Sequence, residues 1–102
     1  MFGRTRNKEI DEFSKTLARE ISEQVHAQQK KAAGKNKADR RMNAAMNKIY
    51  GKAWDFQKQH GLGIYGKARL GNTFKWELRE MGYETDFVDE VTKGLLLSLN
   101  RK

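Results

Sequence analysis

The chain has 102 residues and a formal net charge of +8, with no cysteine and no proline. That length supports one domain with a single core. The missing cysteine excludes a disulfide framework, a thiolate zinc site and a thiol nucleophile, and the missing proline removes the strongest helix breaker.

Residues 7–33 read as a first helix. Ile10, Phe13, Leu17, Ile21 and Val25 recur at intervals of three and four and form one apolar stripe. Asn7 is expected to cap it, with Glu9, Asp11 and Glu12 on the positive end of its dipole and Lys30 and Lys31 near the other end. Gly34 is expected to stop it. A break over 34–38 follows, and Asp39 is the expected cap of a second helix reaching His60. Met42, Met46, Ile49, Ala53 and Phe56 form its stripe, widened by Tyr50 and Trp54. Gly51 lies inside that helix at a cost of about 1 kcal/mol relative to alanine, which a close helix–helix approach there would justify.

The next stretch, GLGIYGKARLGN over 61–72, contains a literal G-x-G-x-x-G. A dinucleotide-binding loop needs a strand before these glycines, and here a helical pattern precedes them. The expectation is therefore a hinge over 61–66, with Gly61 ending the second helix in the left-handed conformation. A helix start near Gly66, beside Lys67 and Arg69, offers free N–H groups to a phosphate. The repeat of IYGKA at 49–53 and 64–68 has unmatched flanks and too short a period for a solenoid. Leu70, Phe74, Leu78 and Met81 mark a third helix ended by Gly82, with Tyr83 folding back on its last turn. Thr85 or Asp86 is expected to cap a fourth, whose stripe is Val88, Val91, Leu95 and Leu99.

The expected fold is an all-α small single domain over 1–102 of about four helices: a long antiparallel helix pair, then a C-terminal helix-turn-helix-like hairpin. Residues 1–6 and 100–102 are expected as flexible ends. The expected core is Phe13, Leu17, Ile21, Met46, Ile49, Ala53, Phe74, Leu78, Val88, Val91 and Leu95. No apolar run exceeds that of Leu95–Leu97, too short for a signal peptide or a membrane span, so a cytoplasmic protein without membrane contact is expected.

Catalytic constellations are not visible. His26 and His60 have no partners at ligand spacing and read as helix C-terminal cations. Ser14, Ser22 and Ser98 have no evident base. No enzyme activity, metal or cofactor is expected.

The charge is uneven. Residues 1–29 are balanced, residues 30–75 carry twelve basic and two acidic side chains for a net +10, and residues 76–102 are net −2. Clustered cations of this kind are the footprint of a nucleic-acid binder. The stretch LREMGYETDFVDEV has near-helix-turn-helix offsets, yet Asp86, Asp89 and Glu90 occupy the start of the would-be recognition helix, where phosphates would lie. That stretch resembles the short helical repeats of RecX-type recombination regulators; its L-x-x-x-G-aromatic junction is generic, and no membership follows. The expected interface is instead Lys30, Lys31, Lys35, Lys37, Arg40 and Arg41, supported by Lys67 and Arg69, touching the DNA or RNA backbone without reading sequence. The alternative is a protein-interaction module or homodimer through Leu95, Leu96, Leu97 and Leu99, which cannot all face one core from one stripe.

Overall fold

The computed structural model describes the backbone of residues 2–30 and 35–100, and the side chains of 7–27, 40 and 42–100. Those residues form four helices and no strand: α1 (Phe2–Lys30), α2 (Lys35–His60), α3 (Ile64–Glu80) and α4 (Thr85–Leu99).

α1 and α2 form the expected antiparallel pair. Phe13 stacks on Phe56 with ring centroids 4.0 Å apart and planes within 5°, Glu20 meets Lys52, and Glu9 meets His60. α3 runs parallel to α1, since Asp11 meets Arg69 and Thr73 while Ser22 meets Tyr83. α4 returns antiparallel to α3, with Lys75 on Asp89 and Lys67 on Asn100. α1 packs on α2 and α3, and α4 packs on α3 and α2. The ring order is therefore α1, α2, α4, α3, and the sequence neighbours α2 and α3 lie across the bundle from each other.

The helix ends follow local chemistry. Gly61 (φ +57°) and Gly82 (φ +93°) are left-handed. At the first, Leu62 N–H donates to the Gln57 carbonyl and Gly61 N–H to that of Lys58; at the second, Tyr83 N–H donates to Leu78 and Gly82 N–H to Arg79. Both are Schellman closures, in which glycine alone avoids a Cβ clash.

Several boundaries differ from expectation. α1 begins at Phe2, so Asn7 is interior to it and residues 2–6 continue the helix; asparagine inside a helix costs only a few tenths of a kcal/mol, less than the gain from adding hydrogen-bonded turns. α2 begins at Lys35, four residues before Asp39, because nothing between Lys35 and Asp39 is glycine or proline. Gly34 lies outside the described residues. The hinge narrows to 61–63, with Gly66 in the first turn of α3, where an added Cβ would lie 3.0 Å from Leu62 Cδ2. Glu84, with no side-chain capping bond, occupies the α4 cap position, so Thr85 and Asp86 are its first helical residues.

The core is Ile10, Leu17, Ala18 and Ile21 from α1, Ile49 and Ala53 from α2, Leu70, Phe74 and Leu78 from α3, Val88, Val91, Leu95 and Leu99 from α4, and Leu62 from the hinge. Phe13 and Met46, expected inside, pack half-buried against its edge. Ser14 is buried instead, its hydroxyl donating to the Ile10 carbonyl at 2.7 Å; bonding within its own helix removes the cost of an unpaired polar group. The expected close approach at Gly51 is absent, with nothing within 4 Å of a Cβ built there. Close approaches occur at Gly71, where that Cβ would lie 2.8 Å from Leu96, and at Gly94, where it would lie 2.7 Å from the Tyr50 hydroxyl.

Candidate nucleic-acid interface

The basic segment lies where α1 ends and α2 begins. Lys30 closes α1, while Lys35 and Lys37 open α2. Arg40 is exposed on the second turn. Lys31 lies outside the described residues, as do the side chains of Lys30, Lys35, Lys37 and Arg41. The first turn of α2 holds no acidic residue, so its positive dipole end adds to the cations around it.

The α3–α4 turn lies toward this end. Met81, after the end of α3, shares a depression with His26 and Ala27 of α1, and Phe87 in the first turn of α4 lines a groove with Met42 and Met46 of α2.

Elsewhere the fold brings acids onto the basic band. Glu20 accepts from Lys52 at 2.6 Å, and Asp89 pairs with Lys75 at 3.3 Å. Asp11 accepts from Arg69 Nε and Nη2, both at 2.9 Å, and from the Thr73 hydroxyl at 3.1 Å. The Arg69 bonds hold the Asp11 carboxyl below its usual range, against a smaller opposing effect of burial. Lys58 sits over the Trp54 ring at 4.9 Å. Among the described residues, no carboxylate pairs with Arg40 or Lys48.

Lys67 and Arg69 are not brought to the other predicted cations. Arg69 is fixed at the level of Asp11, and Lys67 donates to Asn100 at 3.5 Å. Lys30 lies nineteen positions after Asp11 on the same helix, about 28 Å at 1.5 Å per residue. The four leucines also divide: Leu95 and Leu99 are fully buried, Leu96 packs half-buried against Gly71, and only Leu97 is exposed. Most of the leucine surplus therefore meets other helices of the same chain.

The histidines act differently from one another. His26 Nδ1 lies 2.8 Å from the Ser22 carbonyl, one turn back in α1. His60 reaches across to Glu9 at 3.5 Å and stacks near Phe56. Among the described residues, no three His, Cys, Asp or Glu side chains form a metal-binding group, and no helix is long and apolar enough to cross a membrane.

Sequence reading passed over the outer side of α3, where Tyr65 and Trp76 are exposed. Its signal was available: positions 65, 69, 72, 76 and 79 recur at helical spacing opposite the buried Leu70, Phe74 and Leu78. The chain matches no protein-family model, no curated protein and no solved structure.

Proposed function

We propose that this protein is an accessory binding protein that holds the phosphate backbone of nucleic acid at the α1–α2 end, without sequence specificity. The observation that carries this reading is the uneven use of acids. Asp11, Glu20 and Asp89 are paired with cations in the body of the bundle, while residues 30–48 hold seven basic side chains and one acidic one, Asp39. Lys30, Lys31, Lys35, Lys37, Arg40 and Arg41 carry the contact. Lys67 and Arg69 belong to the opposite end and are not part of it. Such contacts release counterions, so the logarithm of affinity falls with the logarithm of salt by about 0.9 per phosphate neutralised on duplex DNA.

The test is a salt titration of binding to duplexes of unrelated sequence. Replacing Arg40 and Arg41 together by alanine should weaken binding to all of them alike and reduce the slope by about two. Asp89→Asn should leave affinity at the wild-type level or raise it. No salt-sensitive binding at micromolar protein would end this reading.

A second reading, a protein-docking helix pair, draws on one specific feature. Leu97 is exposed beside the groove lined by Met42, Met46, Tyr50 and Phe87, and flexible methionine side chains suit such surfaces. Under this reading, mass in solution should exceed the 11.8 kDa monomer with rising concentration, and Leu97→Asp should return it. A constant monomer mass excludes the homodimer.

A further inference from the structure

We propose that the outer face of α3 is a stacking surface for single-stranded nucleic acid, formed by Tyr65 and Trp76 together with Arg69, Asn72 and Arg79. The inference rests on the nucleic-acid reading above and adds a second contact, chemically different from the cationic end. The five positions follow one another at intervals of four, three, four and three, so they share one side of the helix. The opposite side is occupied by Leu70, Phe74 and Leu78, each fully buried. Tyr65 is 92% exposed and Trp76 62% exposed, and Arg69, Asn72 and Arg79 are exposed as well.

The chemistry of this line is selective. It carries two aromatic faces, two guanidiniums and an amide, with no carboxylate among its five positions. An unpaired base offers a π-face to Tyr or Trp and a phosphate to Arg. A duplex offers the phosphates only, because its bases are already stacked on each other. Asp11 engages Nε and Nη2 of Arg69, so the guanidinium is held in place while Nη1 is not used by that carboxylate. Tyr65 and Trp76 stand eleven residues apart, about 16 Å along the helix. Bases therefore stack at two separate points on one strand.

The experiment compares a fluorescently labelled thymidine oligonucleotide with its duplex on the complementary adenosine strand. Tyr65→Ala and Trp76→Ala should each weaken single-strand binding by about tenfold, with a change below about twofold on the duplex. Tyr65→Phe, which keeps the ring, should retain the wild-type affinity. In a Trp54→Phe background, where Trp76 is the sole tryptophan, the single strand should quench its emission and the duplex should not. Circular dichroism of each variant confirms that the helices persist.

Unchanged single-strand affinity in both alanine variants would overturn the proposal, as would an equal loss on strand and duplex. A wild-type dimer abolished by Trp76→Ala, with nucleic-acid affinity intact, would assign the face to self-association and also overturn it. These outcomes leave the cationic-end reading standing, because that reading is tested by the salt slope of the Arg40/Arg41 variant. Absence of any binding by the wild-type chain would remove both.

Discussion

Gly51 and Gly94 both sit inside helices, for opposite physical reasons. Gly51 is exposed and has nothing within 4 Å of the place a Cβ would take. Gly51→Ala should therefore raise stability by about 0.5–1 kcal/mol, the ordinary helix penalty of glycine, in a denaturant titration; a loss would mean the position has a partner in solution. At Gly94 the same methyl would lie 2.7 Å from the Tyr50 hydroxyl and 2.9 Å from its ring carbon Cζ. Tyr50 is tied down there by donating to the Val91 carbonyl at 3.0 Å. Overpacking of about 1–3 kcal/mol should outweigh the helix gain, so Gly94→Ala should destabilise. A stabilising result would show that Tyr50 yields without resistance. Asp11 makes a residue-scale prediction about pH. Its carboxyl is held below the ordinary value of 3.8, chiefly by the bonds from Arg69. The contribution is complete above the unfolded value and is lost as pH falls through the lower folded one. Asp11→Asn should remove that part of the acid-side loss, and the effect should be small because the pair is partly exposed. An unchanged acid limb would show that Asp11 has no net role in stability.

Among the elements, α3 packs on both α1 and α4, so a deletion in it is felt on two sides. Leu78 is fully buried, and Leu78→Ala should cost about 2–5 kcal/mol; a loss of a few tenths would place α3 outside the cooperative core. The four helices were legible because their stripes alternate by three and four, and Gly61 and Gly82 were legible as stops because a left-handed residue without a Cβ is a local requirement. The starts of α1 and α2 were less legible. Asn7 and Asp39 are favourable caps, but a cap residue does not forbid a helix from passing through it, and no proline stands in front of either. The edge positions Phe13 and Met46 could not be separated from the core by spacing alone, since they lie at the margin of each stripe.

Across the whole molecule, net charge and cross-helix pairing act against each other. The +8 charge repels itself, while among the described residues three partly exposed ion pairs, Glu20–Lys52, Asp11–Arg69 and Asp89–Lys75, join neighbouring helices, where solvent screening leaves each with little net stabilisation. Repulsion acts over the whole basic band, whereas each pair acts once. Raising ionic strength from low to physiological levels should therefore raise the thermal midpoint as the repulsion is screened. A falling midpoint would show that the pairs dominate. The same screening should weaken nucleic-acid binding, so stability and affinity should move in opposite directions with salt.

Periodicity, glycine placement and the run of lysine and arginine are properties of neighbours along the chain, and they were enough to specify four helices, two closures and a basic segment. They were not enough to say which cations are paired with carboxylates. That depends on Asp11 reaching Arg69 across 58 positions and Glu20 reaching Lys52 across 32, pairings that exist only once the ring of helices has closed. Tertiary packing also sent Leu95 and Leu99 inward and left Leu97 outside. It separated Lys67 and Arg69 from the basic end by most of a helix, and it turned Tyr65 and Trp76 to the surface. Helical spacing defines which residues share a side; only the placement of three other helices decides which side meets water.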